Sequence, residues 1–74
     1  MNVEAKLFAT LRKAPLQQER IPLQDGATVR DLLENLEVPS AEVAVVLVNG
    51  RHAQLDQRLW DGDKIALFPP IAGG

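Results

Sequence analysis

The sequence predicts an α+β fold in which one main helix packs on a mixed sheet of about five short strands, in the order β-β-α-β-β-β. Three observations carry that prediction. Val3, Ala5, Leu7 and Ala9 alternate with Glu4, Lys6 and Phe8, the two-residue period of a half-buried strand. Val29, Leu32, Leu33 and Leu36 recur at helical spacing, so they form a single apolar stripe. The run Val43–Val48 ends at Asn49-Gly50, the strongest short hairpin signal. One helix stripe laid on one sheet face satisfies the two-layer rule for a small domain.

The remaining elements follow in chain order. Residues 10–17, interrupted by Pro15, read as a connection. Glu19–Leu23 reads as a second strand with Arg20 out and Ile21 and Leu23 in, provided Pro22 lies on an edge. Asp25-Gly26 marks a turn, and Thr28 with Asp31 three residues on forms an approximate capping box at the helix start. Arg30, Asp31, Glu34 and Asn35 face outward, and Pro39 is expected to end the helix. A return strand through Arg51, His52 and Ala53 follows the hairpin turn, and Leu55–Leu59 reads as a connector. Asp61-Gly62-Asp63 then turns the chain into a last strand, with Ile65 and Leu67 inward and Lys64, Ala66 and Phe68 outward. No repeat, linker or low-complexity segment interrupts the order.

Composition narrows the function classes. Seventy-four residues make one domain, near the size at which a single core only just suffices. A formal charge of −2, with eight basic residues scattered among ten acids, argues against nucleic acid as a partner. The absence of cysteine excludes a disulfide framework, a thiolate-held metal and a cysteine nucleophile. The start, MNVEAKLFA, fits neither a signal peptide nor a membrane span, so a cytoplasmic location is expected. The sequence holds no phosphate-binding glycine loop and no metal-ligand or acid–base constellation, so no bound cofactor, metal or catalytic residue is expected in the chain itself.

The chain ends FPPIAGG. Pro69 and Pro70 can stop the last strand, since proline is excluded from a central ladder, and can equally stiffen a stalk. Six residues from Pro69, at about 3.1 Å each, would carry the terminus on the order of 19 Å outward. Gly73 and Gly74 then present a carboxylate on a slim tip, suited to threading into another protein's active site. A frayed end is the bland alternative. The organisation expected is a domain over residues 1–68 and a projecting tail over residues 69–74.

LFATLR near the start, the TVRDLLENL helix, VNG at the hairpin and DGDKIALFPPIAGG at the end resemble the β-grasp, ubiquitin-like sulfur carriers of the MoaD/ThiS type. Phe-Pro-Pro before the glycines is most similar to the small subunit of molybdopterin synthase, while the thiamine-pathway carrier shares the DGD turn and the IAGG end. The resemblance implies a β-grasp sheet with the first and last strands parallel neighbours. It implies that a ubiquitin-activating-like adenylyltransferase spends ATP to adenylate Gly74, and that a sulfur donor converts it to a thiocarboxylate. The tail then inserts into the large synthase subunit, where sulfur passes to a pterin precursor to form the dithiolene that holds molybdenum or tungsten. Thiamine or another thiolation pathway stays open, as does a ubiquitin-like protein modifier or a non-catalytic interaction module.

If the first and last strands are neighbours, the outward rings of Phe8 and Phe68 meet on the solvent side as a docking patch, unless a loop covers them. Arg12 matches the family's Leu-Arg position and is a candidate for an interface pair. Pro69, Pro70, Ile71 and Ala72 would line the partner's channel, with Gly73 supplying clearance. His52 is placed on the adjoining rim, or simply on polar surface. Trp60 is expected to pack its ring against the core edge beside the DGD turn. Lys6, Lys13 and Lys64 are conceivable modification sites, with nothing to select one from another.

Overall fold

A computed structural model of the chain describes residues 1–8 and 18–70. Five strands form one sheet: β1 (Asn2–Leu7), β2 (Gln18–Pro22), β3 (Val45–Val48), β4 (Arg51–His52) and β5 (Lys64–Phe68). The helix α1 (Val29–Asn35) lies between β2 and β3 in the chain, followed by a 3₁₀ turn at Ser40–Glu42. The spatial order is β2-β1-β5-β3-β4. β1 and β5 run parallel at the centre, with Glu4 opposite Lys64 and Leu7 opposite Leu67. All other neighbours are antiparallel. This is the mixed, one-helix β-grasp sheet that the sequence predicts.

The core follows from alternation. Val3, Ala5 and Leu7 of β1, Ile65 and Leu67 of β5, and Val46 and Val48 of β3 all point to one face and are buried. Val29, Leu32 and Leu33 of α1 close over them. Pro22 occupies β2, an edge strand of the sheet. The Leu23 N–H donates to the Met1 carbonyl at 2.8 Å, so the nitrogen of Pro22, one residue earlier, faces the open edge, where a missing donor costs nothing.

The helix is only seven residues long, and its ends are satisfied almost group by group. Thr28 Oγ1 accepts from the Asp31 N–H, and the Asp31 carboxylate accepts from the Thr28 N–H at 2.9 Å. The Val29 and Arg30 N–H groups donate to Gln57 and Leu55 carbonyls, each at 2.9 Å. The connector between β4 and β5 therefore serves as a backbone cap for the helix start. It also delivers Leu59 fully into the core.

The helix stops before Pro39. Glu37 adopts φ 58°, and Glu37 and Val38 return N–H bonds to Glu34 and Leu33 at 3.1 and 2.9 Å. That pair of bonds is a Schellman ending. The adjoining Val38 and Leu33 side chains are both buried, so apolar closure fixes the stop. Pro39 instead opens the 3₁₀ turn, and β3 begins two residues later than the apolar run suggests.

Two turns lock together at one end of the sheet. Asn49 and Gly50 take φ 53° and 83°, the doubly left-handed turn that Asn-Gly favours. The Asn49 side-chain amide donates to Asp63 at 2.9 Å, and its oxygen accepts from the Lys64 N–H at 3.0 Å. Asp61 accepts from the Asn2 N–H at 2.7 Å, and the Gly62 N–H donates to the Asn2 carbonyl at 2.7 Å. The Asp-Gly-Asp turn thus pins β1, β5 and the hairpin at their shared end. Among the described residues, no helix is long and apolar enough to cross a membrane.

Candidate functional site

The sheet face opposite the helix is built from the outward registers of β1, β5 and β3. At the Asp-Gly-Asp end it carries Glu4 opposite Lys64. At the other end it becomes apolar: Val45 pairs with Phe68, and Phe8 continues β1 by donating its N–H to the Leu67 carbonyl at 3.1 Å. The parallel β1–β5 pairing brings the two phenylalanines together. Their ring centroids lie 4.3 Å apart with planes 11° from parallel, a stacked pair. Both rings remain half-exposed. The Lys6 ammonium sits 5.4 Å from the Phe8 centroid, within cation–π range.

The chain leaves the sheet directly beside this stack. The Phe68 carbonyl accepts from the Ala44 N–H at 2.8 Å, and Pro69 then has no N–H with which to extend the ladder. Proline stands where strand pairing ends, with Pro69 half-buried and Pro70 exposed. Ile71, Ala72, Gly73 and Gly74, like Arg12 and Lys13, lie outside the described residues.

Other candidates fall away from the stack. His52 is exposed and paired with Leu47, on the rim of the same face but two strands from β5 and level with Ala66, two residues short of Phe68. Lys64 lies at the far end of β5. The sequence marks Lys6 as a conceivable modification site alone, whereas its place beside Phe8 follows from the same strand alternation at i and i+2. The expectation for Trp60 is overturned. Its side chain is 60% exposed and lies against the Arg58 guanidinium, whose carbon is 4.6 Å from the ring centroid. Leu59 fills the adjacent core position, and successive residues in an extended segment point to opposite sides. Among the described residues, no cluster of three His, Cys, Asp or Glu side chains could hold a metal ion.

Comparison with known proteins gives this geometry a family. The model of the ThiS family matches residues 5–74. The chain belongs to the ThiS family. Small archaeal modifier protein 3 of Haloferax volcanii is 37% identical, with the match covering 100% of both chains. Among solved structures, a putative molybdopterin converting factor subunit 1 from Pyrococcus furiosus superposes with a TM-score of 0.78 at 35% identity. That match covers 95% of this chain and 98% of the other. A chain from the complex of subunits 1 and 2 of the Helicobacter pylori molybdopterin-converting factor gives a TM-score of 0.66 at 25% identity, over 100% of both chains. The ThiS-family member described here is therefore a ubiquitin-like protein of the sulfur-carrier and modifier group.

Proposed function

We propose that this protein is a sulfur carrier whose C-terminal Gly74 is adenylated by a partner, converted to a thiocarboxylate, and presented to a molybdopterin-synthase large subunit. The observation that carries the reading is the Phe8–Phe68 stack at the point where β5 gives way to Pro69-Pro70. A half-exposed aromatic pair offers an anchor of the kind that dominates protein interfaces. Its position at the root of the FPPIAGG segment would set the angle at which a threaded tail enters a partner. The Helicobacter pylori relative, solved as a complex of two subunits, supports a hetero-oligomeric partner.

The chemistry balances without a catalytic group in this chain. A carboxylate is a poor electrophile, so Gly74 must first attack the α-phosphate of ATP, forming an acyl-adenylate and releasing pyrophosphate. A hydrosulfide-level donor then attacks the carbonyl carbon. The C–O bond to AMP breaks, a proton is released, and the thiocarboxylate remains. Glycine at 73 and 74 leaves the carbonyl open to both attacks and the chain narrow.

The test is intact mass. Incubation of the full chain with its adenylating enzyme, ATP and sulfide should raise the mass by the difference between one sulfur and one oxygen, at Gly74. An unchanged mass with active partners, or a shift confined to an internal residue, overturns the reading. The 37% identity to a small archaeal modifier protein favours a second reading, conjugation of Gly74 to lysines of other proteins. It expects adducts formed with loss of one water, whose junction peptides join Gly74 to a lysine.

A further inference from the structure

Of the three asparagines in the chain, Asn2, Asn35 and Asn49, only Asn49 precedes a glycine. Asparagine is chemically labile because the backbone nitrogen of the next residue can attack its side-chain amide. That attack is easiest when the next residue has no β-carbon to crowd it. Val3 and Leu36 follow the other two asparagines and shield them. Gly50 is exposed, and a β-carbon built on it would meet nothing within 4 Å. Its N–H donates to no group among the described residues. The attacking atom is open.

The group under attack is held. Asn49 Nδ2 donates to the Asp63 carboxylate at 2.9 Å, and Asn49 Oδ1 accepts from the Lys64 N–H at 3.0 Å. The Asn49 N–H also donates to the Lys64 carbonyl at 2.7 Å. Ring closure requires Asn49 Cγ to swing onto the Gly50 nitrogen, and the two side-chain bonds oppose that movement. Releasing both lowers the reactive fraction about tenfold or more. The hold is local, because β4 is only two residues long and the hairpin has just two paired positions. Such an end opens without unfolding the rest of the domain.

We propose that Asn49 is a site of spontaneous covalent modification which the folded hairpin guards, and that its conversion undoes the brace at the start of β5. The Gly50 nitrogen loses its proton to hydroxide and attacks Asn49 Cγ. The Cγ–Nδ2 bond breaks, and the side-chain nitrogen takes up a proton from water and leaves as ammonia. Water then opens the cyclic imide at either carbonyl, giving aspartate or isoaspartate at position 49. No oxidant, reductant or catalyst enters the balance. Either product removes the donor that faces Asp63. Aspartate sets a second carboxylate where that donor stood, and two carboxylates sharing a site repel. Isoaspartate lengthens the main chain inside a two-residue turn whose geometry Asn-Gly had matched. The product therefore holds the turn less well than asparagine did, and its level records the time a chain spends with this end open.

The full chain is held in warm, mildly alkaline buffer, folded in one arm and in guanidinium chloride in the other. Peptide mass mapping follows the exchange of an amino group for a hydroxyl. The expected conversion is confined to Asn49 and runs about tenfold or more slower in the folded arm. Asp63→Ala frees the Asn49 amide and should speed the folded arm. Thermal unfolding confirms that this variant folds, and Asp63→Ser replaces it if it does not. Converted chains, separated by their added negative charge, should melt below unconverted ones, as should Asn49→Asp. Equal rates in the two arms, conversion of Asn2 or Asn35 ahead of Asn49, no acceleration in the folded Asp63 variant, or an unchanged Tm after conversion each overturns the proposal. None of these readouts involves Gly74 or a partner, so failure here is distinct from failure of the sulfur-carrier reading.

Discussion

With φ at 53°, Asn49 occupies the first left-handed position of the hairpin turn, and its side chain bridges to Asp63 and to the Lys64 N–H. Alanine there loses both bonds and meets the steric penalty of a β-carbon at positive φ. Asn49→Ala is expected to cost about 1–2 kcal/mol, read as a fall in Tm of about 4–8 °C per kcal/mol for a domain of this size. Asn49→Gly keeps the turn and should cost less, so equal losses in the two variants would mean that the bonds, not the backbone, carry the effect. Phe68 is the residue on which association should turn. Removing a stacked anchor costs about 2 kcal/mol or more of binding, roughly thirtyfold in Kd. Phe68→Glu should exceed Phe68→Ala because the charge must also be desolvated at the interface. Calorimetric titration against the large subunit checks this, and affinity equal to wild type would place the anchor elsewhere.

At the scale of elements, the short helix and the irregular connector after β4 stabilise each other. Thr28 and Asp31 cap from within, while Leu55 and Gln57 supply carbonyls from outside. Thr28→Ala should cost about 1 kcal/mol by thermal unfolding, the usual worth of such a cap. Leu59→Ala should cost more, about 2–5 kcal/mol, because a fully buried leucine leaves a cavity that its neighbours fill only in part. A loss for Leu59→Ala no larger than for Thr28→Ala would show that the connector packs loosely. The strands, the hairpin and the capping box were legible from the sequence because each has a local signal of period or turn chemistry. The connector's role was not, since carbonyls that cap a helix from more than twenty residues away leave no trace in spacing.

For the whole molecule, the buried cluster among the described residues runs from Val3 to Leu67, and a terminal glycine has no side chain to add to it. Deleting Gly74, or changing Gly73 to Val, is therefore expected to abolish sulfur transfer while shifting stability by no more than about 0.5 kcal/mol, as surface changes do. Product formation by the truncated chain would show that the carboxylate of Gly74 does not carry the sulfur. The two ends of β5 differ: Phe68 is stacked on Phe8 at one, and the Asp61–Asp63 turn braces the other through Asn2 and Asn49.

The amino-acid order alone determined the alternation of β1 and β5, the single helix, the Asn-Gly hairpin and, through whole motifs, the family. Those are properties of residues close in the chain, where period and turn chemistry act directly. The phenylalanine stack was half legible: alternation placed both rings outward, but their meeting depends on the parallel β1–β5 pairing, which joins residues sixty positions apart. Trp60 was misplaced because a large apolar ring is ordinarily worth burying. Only the tertiary structure shows that Leu59 already fills the available core position, leaving its neighbour on the solvent side against Arg58. The helix end was decided in the same way: Glu37 enters a left-handed conformation, with burial of Val38 against Leu33 favouring the turn, before Pro39 has any say.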